Sequence, residues 1–137
     1  MNPSEVRALI VEDDDAWQQI LSEILADAGL TVDIAENLET ALARLRATVF
    51  HLAIVDLCLD RNDHRNQDGL RVLAALQRHA PGCTSLLLTG FATAEIAESA
   101  SKEYGAFACL RKEDFHRTEF RALLNQVSAG WHNTQST

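Results

Sequence analysis

Between Val6 and Val127, short apolar runs and amphipathic segments take turns along the chain with little between them. Residues 6–11 (VRALIV), 31–35 (TVDIA), about 50–55, 84–88 (TSLLL) and 106–110 (AFACL) read as strands. Between the first two, Trp17, Ile20, Leu21, Ile24, Leu25 and Ala28 recur at helical spacing, and Gly29 is placed to end that helix. Asn37 can cap a second helix with Leu38, Ala41, Leu42 and Leu45 on its inner face. Leu70, Leu73, Ala74 and Leu76 mark a third helix, ended by Pro81 and Gly82. Residues 93–102 form a weaker helix of small residues, and Phe120, Leu123, Leu124 and Val127 give the last helix its face. Strands joined through helices must run parallel, and apolar strands need cover on both faces. The expected architecture is therefore α/β, a doubly wound five-stranded parallel sheet with five helices. One domain over residues 1–129 and a polar, frayed tail over 130–137 complete it.

The 137 residues suffice for one domain with a real core, and 47% hydrophobic residues argue for a globular chain. A formal net charge of −8 argues against a nucleic-acid surface, which needs lysine and arginine to neutralise phosphates. No apolar stretch approaches bilayer length, and the amino terminus lacks a basic segment followed by an apolar one. No membrane contact is expected, and the cytoplasm is the expected location. Cys58, Cys83 and Cys109 are widely spaced and form neither a disulfide framework nor a zinc pattern. The histidines are scattered without metal-ligand spacing.

Right-handed crossovers place all strand C-termini on one edge, where open parallel sheets bind ligands. Glu12 and Asp13 follow the first strand, Asp56 the third, Thr89 the fourth and Lys112 the fifth. Three clustered carboxylates repel one another unless a cation offsets them, and Mg²⁺ with its oxygen ligands suits phosphate chemistry. Lys112 adds a fixed positive charge. An aspartate can itself be the nucleophile that forms an acyl phosphate, and Asp56 is the candidate.

These residues also carry a family resemblance. The VED at 11–13, IVD at 54–56, LLLTG at 86–90 and LRK at 110–112 resemble the receiver (CheY-like) domain of bacterial two-component response regulators. The order and spacing fit across about residues 6–128. The resemblance implies a flavodoxin-like (βα)5 fold with strand order 2-1-3-4-5. It implies that Asp56 accepts a phosphoryl group from a sensor histidine kinase or phosphotransfer protein. Asp13, Asp56 and the backbone carbonyl of Cys58 would bind Mg²⁺, with Glu12 assisting mainly through metal-bound water. Lys112 would pair with the phosphoryl oxygens, and Thr89 would turn its hydroxyl to them. That movement would reshape the face around the fourth helix and fifth strand for a downstream protein target, with a homodimer on phosphorylation among the outcomes.

Four departures bear on output. Asp60 stands where the family has proline, and the loop over 60–68 (DRNDHRNQD) is about five residues longer than usual and charged. It reads as a solvated loop that overhangs the site and could gate it. Glu113 follows the lysine where proline is usual; a non-proline cis bond costs about 3 kcal/mol, so trans is expected unless the surroundings hold a strained cis form. Cys109 replaces the usual aromatic switch residue. In the family the positions of Cys58 and Phe91 flank the path of the hydrolytic water; cysteine and phenylalanine position it poorly, so the resemblance implies slow autodephosphorylation.

Blander roles stand beside these. Asp13, Asp14 or Asp15 could serve only the first turn of a helix, Thr89 only a turn, and Lys112 only the surface. Cys58 reads as a small filler that lends its carbonyl, and Trp17 as core rather than a ligand platform. Rival functions are a pseudo-receiver that signals by binding alone and, more distantly, an aspartyl-nucleophile phosphatase or a Mg²⁺ nuclease or primase. The phosphatase wants an acid two residues after its nucleophile, where Cys58 stands, and the nuclease wants a DxD pair that DLCLD does not give. The chain reads as a stand-alone receiver or one excised from a longer protein.

Overall fold

The computed structural model describes residues 5–90 and 93–135. Five strands form one parallel sheet in the order β2-β1-β3-β4-β5: β1 (Arg7–Val11), β2 (Thr31–Ala35), β3 (Leu52–Val55), β4 (Thr84–Thr89) and β5 (Ala108–Arg111). The helices are α1 (Asp15–Asp27), α2 (Leu38–Ala47), α3 (Asp68–His79), α4 (Ala94–Lys102) and α5 (Arg117–Gln135). A single 3₁₀ turn, Lys112–Asp114, follows β5.

Side chains alternate across a strand, and both faces of the central strands are apolar. On one face Ala8, Ile10, Leu52, Ile54, Leu86 and Leu88 pack against Leu21, Ile24 and Leu25 of α1 and Phe120, Leu124 and Val127 of α5. On the other, Leu9, Val11, Ala53, Val55 and Leu87 meet Ala41 of α2, Val72, Leu73 and Leu76 of α3, and Ala100 of α4. Burying strands on both faces leaves them no polar alternation, which is why they read as oily runs.

Local signals agree with these boundaries. Asn37 caps α2 by accepting from the Thr40 amide at 2.8 Å, and Asp14 caps α1 by accepting from the Trp17 amide at 3.0 Å. Gly29, at φ 91°, takes the left-handed conformation just past α1.

Three expectations need correcting. The third strand starts at Leu52, not near Phe50, which is buried but lies outside the ladder. The fifth starts at Ala108; Phe107 before it is half-exposed although apolar, and its amide donates to the Ser85 carbonyl at 2.7 Å. The polar tail expected from Gly130 is helical through Gln135 instead, and Trp131 is buried in the α5 core beside His51, ring centroids 6.5 Å apart. Trp131 extends the stripe of Leu124 and Val127, and burying so large a ring outweighs the roughly 1 kcal/mol that Gly130 costs a helix. Among the described residues no helix is long and apolar enough to cross a membrane.

Candidate functional site

The five expected residues gather at the C-terminal edge of the sheet because each follows the end of its strand or, for Thr89, ends it. Glu12 is held from several sides: its amide donates to the Ala35 carbonyl at 3.0 Å, and its own carbonyl accepts from Gln18 Nε2 at 2.7 Å. One carboxylate oxygen, Oε2, accepts from the Asp14 amide at 3.2 Å. Asp56 is fixed by its amide bond to the Val11 carbonyl at 2.9 Å. Both acids are buried, at 2% and 7% exposure, where an ionised carboxylate survives only with partners.

Lys112 is their common partner. Its ammonium lies 2.5 Å from Glu12 Oε1 and 3.0 Å from Asp56 Oδ2. It also sits 5.3 Å from the centroid of the Trp17 ring, a cation–π distance. Trp17 in turn meets Phe115 edge-on at 5.1 Å, and Phe115 meets Phe120 at 5.2 Å. Trp17 thus forms part of the wall around the lysine rather than only core. Helical spacing assigns it to an inner face but does not say that this first turn of α1 rises beside the strand ends.

Carboxylate oxygens of Glu12, Asp13 and Asp56 all lie within 4.8 Å of one another. One ammonium offsets three carboxylates incompletely. Burial, reinforced by the charge of Asp56, pushes the Glu12 carboxyl up to about 8 against the opposing pull of Lys112. Burial pulls the Lys112 ammonium down, but its hydrogen bond to Glu12 and the charges of Asp56 and Glu12 raise it overall. The donor set, all carboxylate oxygen and gathered within 4.8 Å, is of the kind that a hard divalent cation takes.

Thr89 is wholly buried, level with Arg111 of β5. Cys109 is half-buried opposite Leu87, and burial pushes its thiol up. Phe91 lies outside the described residues. The Lys112–Glu113 bond is trans. Cys58 does more than fill space, since its Sγ donates to the carbonyls of Asp60 at 3.2 Å and Asp63 at 3.3 Å. Burial pushes the Cys58 thiol up as well, aided by Asp56, Asp13 and Asp60 and opposed by the hydrogen bond at Asp60. We therefore expect alkylation of Cys58 by iodoacetamide at neutral pH to run slower than for an unstructured cysteine peptide.

Two further residues shape the site. Gly69, in the first turn of α3, donates its amide to the Leu57 carbonyl at 2.9 Å and lets the helix press against the backbone of Asp56. Arg61, in the charged loop, donates to the Asp13 carbonyl at 3.1 Å. A broad groove elsewhere, between α2 and α3, is lined by Leu38, Leu42, Leu45, Ala74, Ala75 and Tyr104 among others and includes none of the site residues.

Comparison with known proteins gives a consistent result. The family model described as the response regulator receiver domain matches residues 8–125. A response regulator receiver protein of Anaeromyxobacter sp. (strain Fw109-5) is 34% identical over 106 residues, 77% of this chain and 42% of the relative. This chain thus spans less than half of that relative's length. A CheY-like receiver domain from Methanospirillum hungatei JF-1 superposes with a TM-score of 0.77 at 28% identity, covering 96% of this chain and 97% of the other. A response regulator protein from Burkholderia pseudomallei, solved with a phosphorylated aspartic acid, a calcium ion and citrate, gives 0.75 at 28% identity, covering 95% and 73%. With five parallel strands in the order 2-1-3-4-5 and an acidic cluster facing a lysine at their ends, this chain belongs to the response regulator receiver domain family.

Proposed function

We propose that this chain takes a phosphoryl group onto Asp56 from a sensor histidine kinase or phosphotransfer protein of a two-component phosphorelay, and that the modification alters its binding face. The observation that carries the reading is the Lys112 ammonium held 3.0 Å from Asp56 Oδ2 beside two more acids. A carboxylate oxygen of Asp56 attacks phosphorus, and the bond from phosphorus to the donor's leaving atom breaks with its electron pair going to the donor. The product is an acyl phosphate. Lys112, already at the carboxylate, pairs with the phosphoryl oxygens, and the Thr89 hydroxyl turns to them. Mg²⁺ would be held by Asp13, Asp56 and the Cys58 carbonyl with Glu12 alongside, where it supplies charge neutralisation between nucleophile and phosphoryl group.

The thiol of Cys58 engages loop carbonyls, so it is poorly placed to orient water. The acyl phosphate is therefore expected to persist for minutes; loss of labelled phosphate within seconds in Mg²⁺ would contradict this. Cys109, in place of an aromatic ring, gives the face of α4 and β5 a different readout of Thr89 movement. A phosphatase reading is disfavoured because the Asp60 carboxylate accepts from the Asn62 amide at 2.9 Å within its own exposed turn, and so is committed away from a general-acid role.

The test is addition of beryllofluoride with Mg²⁺ to the wild type and to Asp56→Asn, followed by tryptophan fluorescence. Trp17, against Lys112, reports on the site. An Mg²⁺-dependent change in the wild type alone is expected. Equal behaviour of the two proteins would favour a phosphorylation-independent binding module, and turnover of a phosphoester would favour an enzyme.

A further inference from the structure

The loop between β3 and α3 is closed upon itself. Asp63 N and Asn66 N donate to the carbonyls of Asp60 and Asp63, each at 3.0 Å, which makes two successive turns. The Asp60 and Asp63 carboxylates brace those turns by accepting from the amides of Asn62 and Arg65. Asn66 Oδ1 joins the two ends of the loop, accepting from Leu59 N and Asp68 N at 3.0 Å each. Cys58 Sγ ties the turns down from beneath. A loop so braced presents Arg61 in a defined place: its Nη2 reaches the Asp13 carbonyl, 48 residues away in the chain, at 3.1 Å. Among the described residues no carboxylate forms an ion pair with Arg61, which is exposed at the outer side of Asp13 with its charge not neutralised.

We propose that Arg61 is a second cation of the phosphoryl site, acting across the metal-side wall formed by Asp13. This rests on the phosphoacceptor reading of Asp56. A guanidinium anchored to the main-chain carbonyl of Asp13 stands beside the residue whose carboxylate completes the triad, while Lys112 enters from β5. Its field opposes a divalent cation arriving at the unmodified pocket and favours the dianionic phosphoryl group that follows. The two effects therefore have opposite signs. A purely structural staple gives a different pattern, because loosening Asp13 weakens both ligands together.

The experiment titrates MgCl₂ and then, at saturating Mg²⁺, beryllofluoride into wild type, Arg61→Gln and Arg61→Lys, with tryptophan fluorescence as readout and thermal melts confirming the fold. For Arg61→Gln we expect Mg²⁺ to bind about threefold tighter and beryllofluoride to bind about tenfold weaker. Arg61→Lys should stay within about twofold of wild type for both, since the charge is kept. Joint weakening of both ligands in Arg61→Gln, or no change in either, overturns the proposal. A wild type that ignores beryllofluoride fells the Asp56 reading first, and is told apart by arising without any substitution at Arg61.

Discussion

Replacing Gly69 by alanine is expected to destabilise the protein by about 3 kcal/mol and to slow phosphorylation of Asp56 severely. A Cβ at this position would lie 2.1 Å from the Asp56 carbonyl oxygen and 2.7 Å from Leu57 Cα. Both obstacles are backbone, so no side chain can swing aside. Either the first turn of α3 retreats, losing the Gly69 amide bond to the Leu57 carbonyl, or the chain just after β3 moves. The second response displaces Asp56 relative to Lys112, which tolerates little error in a 3.0 Å contact. Gly82→Ala is the control: nothing lies within 4 Å of its added Cβ, and its stability change is expected to stay within about 0.5 kcal/mol. Urea denaturation of the two variants measures the difference.

Glu12→Gln is expected to stabilise the metal-free protein at alkaline pH by a few kcal/mol, with the advantage fading in acid. The carboxyl of Glu12 stands near 8 in the fold against 4.5 for an ordinary glutamate, raised by burial and then by Asp56. An acid raised on folding binds its proton more tightly in the native state, so the native state holds more protons between those two values. Stability is then full below pH 4.5 and falls as pH rises through about 8. Glutamine lacks the ionisation and removes that fall. Lys112, raised above its ordinary value, stays charged throughout this window and does not contribute to the slope. Mg²⁺ should reverse the order, because it binds the ionised wild-type pocket and stabilises it by mass action. Its affinity should accordingly rise with pH up to about 8, with a proton released on binding. Thermal melts between pH 5 and 9, with and without Mg²⁺, check both signs.

The alternation of strands and helices was legible because parallel strands covered on both faces are apolar at nearly all inward positions, Ser85 and Thr89 of β4 aside: Leu9 and Ile10 point to opposite cores, yet both are apolar. The gathering of Glu12, Asp56 and Lys112 was legible for a related reason, since topology alone carries the ends of β1, β3 and β5 to one edge. What composition hid was depth and contact. Phe107 looks like strand core and is half-exposed, while Trp131 sits among polar neighbours and is buried. Trp17 reads as an inner-face residue, but its distance from Lys112 depends on how α1 is set against the sheet. Nor does periodicity say anything about the loop carrying Arg61. Its order comes from Asp60, Asp63 and Asn66 each finding particular amides, and a run of polar residues with unmade bonds would read the same.

The most direct measurement is to react the protein with a small phosphodonor and Mg²⁺, reduce any aspartyl phosphate with borohydride, and map the resulting homoserine by peptide mass spectrometry. Conversion at residue 56, and nowhere else, is the predicted result. Conversion at Asp13 or another acid, or none at all with donor and metal present, contradicts it.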